Sequence, residues 1–436
     1  MIPILEFDKL APEDILNRDI QAEENVSAAV DAVLAEVKAN GDAALKAYTK
    51  QFDGVELEDL RVSEAEIEAA WDSLDPEFIK TLEMAAENIR HFHEQQVHRD
   101  FALTDKPGIV MGQRYTPIEK VGICVPSAPA AFPSTILMNV IPAKIAGVRE
   151  IVVVTPPDKN GKISTEALAA AKIAGADKIF KIGGAQAVAA LASGTESVPK
   201  VDKVVGPGGI FVATAKRKVF GLVAIDMIAG PSEILVLADG KCDPRWVAAD
   251  MLSQAEHDVL ASAVLVTDSR QLANAVQAEV EVQLAQLPRC EIARKSIDEN
   301  GRIIVTGSLE KAVEAANLIA PEHLELCVED PFALLDRIVN AGSVFLGRNV
   351  PEALGDYLAG PNHTLPTSGT ARFSSPLGVD DFVKKSSFIY YTKEALDAVA
   401  PRIADFAERE GLHAHAKSVT IRYEAEKMPK KEGEPL

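Results

Sequence analysis

Cysteine is scarce in this 436-residue chain, and the four cysteines that it has lie far apart. None of them belongs to a CxxC pair, so the spacing that is typical of a cysteine-ligated zinc site is missing. Scattered cysteines are typical of proteins of the reducing cytoplasm. Any metal site in this chain must therefore be built from histidine, carboxylate or amide side chains.

Long hydrophobic runs and positive charge are also lacking. No apolar run reaches the roughly 18 residues that a membrane span needs, and the start MIPILEFDKLAPED lacks the basic and apolar segments of a secretory signal. The formal net charge of -20 excludes nucleic acids and anionic membranes as partners, because most of the surface would repel them. The expectation that remains is a cytoplasmic enzyme that acts on a small molecule.

The sequence contains a repeated alternation of β-branched runs and alanine-rich helical patterns. EIVVV followed by STEALAAAKIAGA is one such repeat, and the alternation is typical of a parallel sheet with helices on its faces. Because it starts again near residue 231, we predict an α/β fold with two Rossmann-like parallel-sheet units that arose by duplication. The predicted regions are a helical N-terminal region at 1–104, a first unit at 105–230, a second unit at 231–374 and a helical C-terminal segment at 375–436.

Three glycine-rich turns lie next to the predicted strands: GGAQ at 183–186, GPGG at 206–209 and AGPSE at 229–233. Parallel sheets bind ligands at the carboxyl ends of their strands, and we expect these turns to lie there. Each of them could equally be a tight turn that binds nothing. A GxGxxG motif is absent, so a dinucleotide cannot be predicted from a motif.

The stretch SQAEHD places Gln254 and His257 three residues apart within a helical pattern. This spacing predicts that both side chains share one helix face, where an amide oxygen and an imidazole nitrogen could bind one metal ion. A solvated helix face is the alternative interpretation. Three histidines near the end of the N-terminal helical region have spacings that do not share a helix face, and we predict that they lie at the surface. They are His91, His93 and His98.

Glu322 and His323 follow a proline and precede a strand-like run, which predicts that they lie at a turn. Such a pair can transfer protons, although two polar turn residues would look the same. Asp356 and His363 belong to a long aperiodic segment at 355–375, and loops of that length are more often functional than idle. From the residues alone the chain is an α/β enzyme, metal-assisted or not, of unknown substrate.

Taken together, the separated motifs closely resemble the histidinol dehydrogenase family. The resemblance covers nearly the whole chain and includes NGDAALKAYTKQFDG, DMIAGPSEILVLAD, SQAEHD, APEHLEL, GPNHTLPTSGTARFSSPLGV and EGLHAHAKSVTIR. It implies an NAD-dependent enzyme of histidine biosynthesis, with one zinc ion per subunit, that oxidises L-histidinol to L-histidine through the aldehyde in two hydride transfers. The first Rossmann-like unit would then bind the cofactor, and the second would carry the zinc and the catalytic residues.

The resemblance also implies the roles of individual residues. His323 would remove the alcohol proton, and Glu322 would activate the water that attacks the aldehyde. The implied zinc ligands are Gln254, His257, Asp356 and His415. The implied substrate contacts are Ser232, Gln254, His257, His323, Asp356, Glu410 and His415. His363 lies in the same loop, seven residues after Asp356, and we predict from this position that it also supports the substrate or the cofactor. In this family the C-terminal segment reaches into the partner subunit, so Glu410 and His415 would complete the site of the other chain in a homodimer.

The chain departs from the family pattern on the cofactor side. The family commonly reads Tyr-Val-Pro-Gly-Gly where this chain has Cys124, Val125, Pro126, Ser127 and Ala128. It also commonly has Asn at the position of Gly209, whereas Gln186 is retained. The predicted cofactor contacts are therefore Cys124, Gln186 and Gly209, two of them changed.

These departures leave several interpretations open. NAD could bind mainly through the backbone and Gln186, with unchanged chemistry. A paralogue could oxidise another primary alcohol, such as a dihydroxypropanesulfonate, to the carboxylate; Glu410 near the substrate disfavours a sulfonate there, but Arg409 beside it does not. A zinc hydrolase would use Glu322 without a nucleotide, and an inactive binding protein is a further alternative.

Overall fold

The computed structural model describes residues 1–10, 21–126 and 132–423, with the side chains of 21–25 left aside. Ser127 and Ala128, where the family commonly has glycines, lie outside the described residues. The chain divides into two compact units, which are Met1–Val97 with Pro117–Phe382, and His98–Thr116 with Val383–Leu436. We call them the large unit and the small unit.

The strands are β1 Ile4–Glu6, β2 Phe101–Leu103, β3 Ile109–Pro117, β4 Lys120–Cys124, β5 Glu150–Val154, β6 Lys178–Phe180, β7 Lys203–Val205, β8 Ala224–Ile225, β9 Glu233–Ala238, β10 Ser262–Thr267, β11 Arg302–Val305, β12 His323–Cys327, β13 Ser343–Leu346 and β14 Val383–Tyr391. The α-helices are α1 Gln21–Phe52, α2 Glu64–Ser73, α3 Pro76–His93, α4 Pro133–Ala146, α5 Thr165–Ala174, α6 Gly184–Ser193, α7 Ile210–Val219, α8 Pro244–Ala255, α9 Arg270–Leu284, α10 Cys290–Asn300, α11 Leu309–Ile319, α12 Phe332–Leu335, α13 Glu352–Tyr357, α14 Lys393–Asp397, α15 Ala400–Arg409 and α16 His413–Thr420. Short 3-10 helices lie at Phe7–Lys9, Glu94–Gln96, Thr370–Arg372, Val379–Phe382 and Ile421–Tyr423.

The first predicted Rossmann-like unit is a five-stranded sheet in the order β6-β5-β4-β7-β8, and its strand pairs are parallel. Apart from the edge strand β8, its strands are short and almost wholly buried, because helices cover both faces, and this explains their continuous valine and isoleucine runs. The strand order reverses between β4 and β7. Such a reversal opens a crevice at the carboxyl ends of the two strands.

The second predicted unit is a six-stranded parallel sheet in the order β1-β11-β10-β9-β12-β13, with its own reversal between β9 and β12. All six residues of β9 and of β10 are buried. Two parallel sheets in the large unit confirm the predicted fold class. The edge strand β1 comes from the region that we predicted to be helical, and it pairs with β11, which would otherwise present an open edge.

Strand β2 also lies in this region, and the remaining regular structure described within residues 1–104 is helical. A left-handed residue, Gly41 with φ of 51°, kinks α1. Helix α2 begins with a capping box, in which Ser63 accepts a hydrogen bond from the N–H of Glu66, and the Glu66 carboxylate accepts the N–H of Ser63 at 2.8 Å. The surface prediction was wrong for His93, which is fully buried, with Nδ1 at 2.8 Å from the side-chain oxygen of Gln96.

The small unit contains the antiparallel pair of β2 and β3, with β14 on the other side of β3, and the helices α14 to α16. The C-terminal segment was predicted to be helical from residue 375, yet its nine residues Val383–Tyr391 form β14. These alternate poorly between buried and exposed positions, so the sequence carried little strand signal. Among the described residues, no helix is both long enough and apolar enough to cross a bilayer.

Helix α9 provides a test of how the core is packed. Val276 is fully buried against the six-stranded sheet, whereas Val282 on the same helix is 55% exposed. We expect Val276→Ala to lower the free energy of unfolding by about 2 kcal/mol, because two methyl groups are lost and a cavity is left. Val282→Ala should leave stability unchanged or raise it slightly, since alanine favours a helix. Thermal and urea unfolding of both variants would measure this, and equal losses would contradict the described burial.

Candidate active site

The candidate site lies at the amino edge of the six-stranded sheet. Glu233 begins β9, His323 begins the neighbouring strand β12, and Glu322 directly precedes it. Our expectation that the glycine-rich turns all lie at carboxyl ends was therefore wrong for AGPSE, which leads into β9. Helix α8, which follows β9, runs back from the carboxyl edge and brings Gln254 to the same amino edge.

His323 and Glu322 hold the backbone of Glu233 from two sides. The Nδ1–H of His323 donates to the carbonyl oxygen of Glu233 at 3.1 Å, and the N–H of Glu233 donates to Oε2 of Glu322 at 2.8 Å. Both side chains are buried, not exposed at a turn, with residue exposures of 4% and 6%. The contact at Nδ1 fixes the tautomer in which Nε2 of His323 carries a lone pair.

Burial sets the protonation of this pair. Burial lowers the pKa of His323, so its imidazole is neutral, and its buried Nε2 has no hydrogen-bond partner. Burial also raises the pKa of Glu322 well above the ordinary value, against the lowering effect of the Glu233 N–H bond. A neutral imidazole with a free Nε2 can accept a proton, and a carboxylate of raised pKa is a stronger base once it is ionised.

Beside His323, three further side chains converge. The imidazole of His257 and the carboxyl groups of Glu352 and Asp356 each offer one ligand atom, and these atoms lie within 4.8 Å of one another. Nε2 of His323 lies 3.9 Å from Oε1 of Glu352. Imidazole and carboxylate are ligands that zinc accepts, so this donor set fits a zinc ion.

Gln254 and His257 do not share a helix face as we predicted. Helix α8 ends at Ala255, and His257 lies in the turn that follows, where its N–H donates to the carbonyl of Gln254 at 3.2 Å. Both side chains nevertheless lie close to the carboxyl group of Glu352.

The amide of Gln254, which is 1% exposed, can adopt two orientations. In one, its oxygen faces the carboxyl oxygens of Glu352, a contact between acceptors that a cation would make favourable. In the other, its nitrogen donates to Glu352 at 2.8 and 3.2 Å and its oxygen accepts from the N–H of Glu233 at 3.2 Å. The first orientation is the one in which Gln254 supplies an oxygen ligand to a metal, so the residue also fits the group.

Glu352 is the residue that the sequence reasoning missed. It is 2% exposed, accepts a hydrogen bond from Oγ of Ser253 at 2.7 Å, and burial raises its pKa to about 7. Behind it, Glu325 accepts the backbone N–H of Glu352 at 2.8 Å. A signal was available, because Glu352 and Asp356 lie four residues apart on α13 and therefore share one face.

Asp356 and His363 line a cavity of about 210 Å³ that also contains His323 on its wall. Nδ1 of His363 lies 3.2 Å from the carbonyl oxygen of Asp356 and 3.6 Å from its Oδ1. Burial acts to raise the pKa of Asp356, but the contact with His363 and the nearby imidazoles of His323 and His257 together leave the pKa below its ordinary value. The remaining wall is mostly apolar, from residues such as Phe345 and Leu365.

The remaining predicted site residues lie in three places in the fold. Ser232 directly precedes β9, at the same sheet edge as Glu322. Glu410 and His415 belong to the small unit, at the end of α15 and in α16, and both are exposed. The predicted cofactor residues lie at the carboxyl edge of the five-stranded sheet: Cys124 ends β4, Gln186 is in the first turn of α6, and Gly209 caps the start of α7.

Comparison with known proteins gives a consistent picture. The family model described as histidinol dehydrogenase matches residues 16–423. Relatives named histidinol dehydrogenase include one from Listeria monocytogenes, 54% identical over 96% of this chain and 97% of the relative, and one from Bacillus cereus, 55% identical over 93% and 94%. The crystal structure of histidinol dehydrogenase from Elizabethkingia anophelis is 41% identical with a TM-score of 0.91, and the match covers 97% of this chain and 98% of that one.

The position of Glu352 among the candidate ligands generates a prediction. We expect Glu352→Gln to weaken zinc binding by about 10- to 100-fold, because one charge of the donor group is lost while its shape is kept. Competition with a chromophoric chelator would measure the affinity. Glu329→Gln is the control, since the Glu329 carboxylate pairs with Lys241 at the opposite edge of the sheet and is exposed. Wild-type zinc affinity in the Glu352 variant would show that this carboxylate has no part in a metal site.

Proposed function

The chain belongs to the histidinol dehydrogenase family, and from this premise we propose that it oxidises L-histidinol to L-histidine through the aldehyde, with one zinc ion per subunit and two molecules of NAD. It is an NAD-dependent oxidoreductase, and histidinol is its substrate. The finer proposals concern the zinc ion, the two hydride transfers and the roles of individual residues. The relatives favour histidinol over other primary alcohols, and no observation favours hydrolysis.

The observation that supports this proposal best is the unpartnered Nε2 of His323, which is buried beside a group of metal ligand atoms. A buried lone pair without a partner costs free energy unless a ligand uses it. A substrate hydroxyl within the cavity would supply the missing hydrogen bond. We propose that His323 accepts the alcohol proton as hydride leaves the carbon.

Glu322 has the second proton task in this proposal. Because its pKa is raised by burial, its ionised form takes a proton readily, and we assign it the activation of the water that attacks the aldehyde. The N–H of Glu233 holds one carboxyl oxygen, so the other is free to face that water. His323 and Glu322 thus serve the first and the second oxidation in turn.

Gln254, His257 and Asp356 would hold the zinc ion, with His415 contributed by the second subunit of a homodimer and Glu410 contacting the substrate from the same segment. When bound, zinc would orient the substrate through its amine and imidazole, and NAD would accept the hydride. His363 would orient Asp356 through the contact at its Nδ1.

Four unpaired cysteines support an assignment to the reducing cytoplasm.

The connection between the two sheets supports a single active site. Strand β8 ends at Ile225 and β9 begins at Glu233, so seven residues join the carboxyl edge of the cofactor sheet to the amino edge of the catalytic sheet. A fully extended chain of that length spans at most about 25 Å. The two edges therefore lie within reach of one dinucleotide and its substrate, and the loop carries Ser232.

The experiment that tests this function is the number of NADH molecules formed per molecule of L-histidinol consumed. We expect about two with zinc-loaded protein, loss of NADH formation after a chelator removes the metal, and recovery when zinc returns. A folded, zinc-loaded protein that forms no NADH from histidinol would overturn the proposal. NAD binding by calorimetry distinguishes a missing cofactor from a wrong substrate.

The two proton roles predict different defects. We expect His323→Asn to slow the first oxidation by about 10²- to 10⁴-fold, whereas Glu322→Gln should form the aldehyde but slow its oxidation, so that the NADH yield falls towards one. Rapid-quench analysis of the aldehyde would separate them. Glu314→Gln is the control, because Glu314 is an exposed carboxyl residue on α11. A yield of two NADH at wild-type rate in the Glu322 variant would remove that residue from the mechanism.

A further inference from the structure

A buried ion pair lies beneath the cofactor edge of the five-stranded sheet. Lys216 on α7 and Asp226, which follows β8, are 2.5 Å apart, and their side chains are only 2% and 0% exposed. Burial of two charges costs several kcal/mol per ion unless other bonds compensate for the lost hydration. An apolar pair of the same size would fill this space without that cost, so the pair calls for a reason beyond packing.

The reason lies in the backbone of one residue. Nζ of Lys216 donates to the carbonyl oxygen of Gly206 at 2.8 Å, and the N–H of Gly206 donates to Oδ2 of Asp226 at 2.8 Å. Both backbone polar groups of Gly206 are thus held by one ion pair. Gly206 is the first residue after β7, where the sheet no longer supplies partners, and an apolar pair could not supply them either.

Gly206 stands at the point where the strand order reverses. Its φ is 100°, and a Cβ atom there would lie 2.3 Å from the carbonyl oxygen of Cys124, the last residue of β4. The turn that Gly206 opens therefore packs directly against the end of the adjacent strand. It leads through Gly209, where a Cβ would meet nothing within 4 Å, into the first turn of α7. The open side of this turn faces the crevice between β4 and β7.

We propose that Lys216 and Asp226 are a positioning pair for the dinucleotide, which fixes the Gly206–Gly209 turn in the conformation that the cofactor contacts. The proposal rests on the proposed function, since it assumes that NAD binds at this edge. It also explains how this chain tolerates Cys124 and Gly209, because a turn held through its backbone offers N–H groups to a phosphate whatever its side chains are. The thiol of Cys124 is buried against the pair, and burial raises its pKa to about 12, so it packs as an apolar group.

The test is calorimetric titration of zinc-loaded protein with NAD. We expect Lys216→Met to raise the Kd for NAD about tenfold or more, because the turn loses a charged hydrogen bond. The Michaelis constant for histidinol and the zinc content should stay at wild-type values. Gly206→Ala should have the same effect on NAD while both charges remain, because its Cβ displaces the turn from Cys124.

Lys203→Met is the matched control, at the opposite end of β7. Lys203 is also buried, and its Nζ bonds to Asp381 at 2.7 Å to the carbonyl oxygen and 3.0 Å to the carboxylate. It should lose thermal stability but keep NAD affinity. Equal loss of affinity in Lys203→Met would overturn the proposal, since the effect would then follow stability alone.

The remaining outcomes are also decisive. Wild-type affinity in Lys216→Met would overturn the positioning role, and should that variant fail to fold, Gly206→Ala gives the same decision. Wild-type protein is titrated in parallel. If it binds no NAD, the proposed function itself fails; if it binds NAD and both variants bind it equally well, only the positioning role fails.

Discussion

The candidate site at the amino edge of the six-stranded sheet depends on the burial of several carboxyl groups close to one another. Glu322, Glu325 and Glu352 are each at most 6% exposed, and among the described residues no lysine or arginine is bonded to them. Buried carboxylates without a cation hold their protons, which is why burial raises the pKa of each of the three. A divalent cation at this edge would supply the missing positive charge and reverse that tendency for the carboxyl groups next to it.

The candidate functional residues lie at the carboxyl edge of the five-stranded sheet but at the amino edge of the six-stranded sheet. In the five-stranded sheet the crevice opens where the strand order reverses, between β4 and β7, as is usual for such folds. In the six-stranded sheet the corresponding carboxyl edge is closed by an ion pair between Asp239 and Arg348, with contacts of 2.6 and 2.7 Å. Its amino edge, next in sequence to the five-stranded sheet, holds the candidate ligands and the pair of Glu322 and His323 instead. The two sheets thus have similar topologies but carry their candidate functional residues at opposite edges.

The sequence allowed the two parallel sheets to be predicted, because continuous β-branched runs and helical periodicity are local signals. The order of the strands within each sheet was not predicted, since it depends on contacts between distant segments. The sequence did not reveal β1, a three-residue edge strand whose partner lies about three hundred positions away. The edge that AGPSE occupies could have been predicted, because this turn leads directly into the strand-like run EILVLA and must lie at its amino end. Glu322 and His323 could be named from their motif, but their burial could not, because it depends on the pairing of β12 with β9.

The contrast between the two edges also shows what the chain fixes by itself. At the cofactor edge the positive charge is a lysine, so the Gly206 turn is held before any ligand arrives. At the amino edge of the six-stranded sheet the candidate ligands are His257 in a turn, Gln254 at the end of α8, and Glu352 and Asp356 on α13. Protons or a cation would relieve the repulsion between the two carboxylates. Glu352 was missed in the sequence because a glutamate in PEALGDY is expected to lie at the surface, and its burial depends on the tertiary structure. The chain's own charges therefore hold the Gly206 turn, whereas Glu322 and Glu352 keep their raised pKa values unless a cation binds beside them.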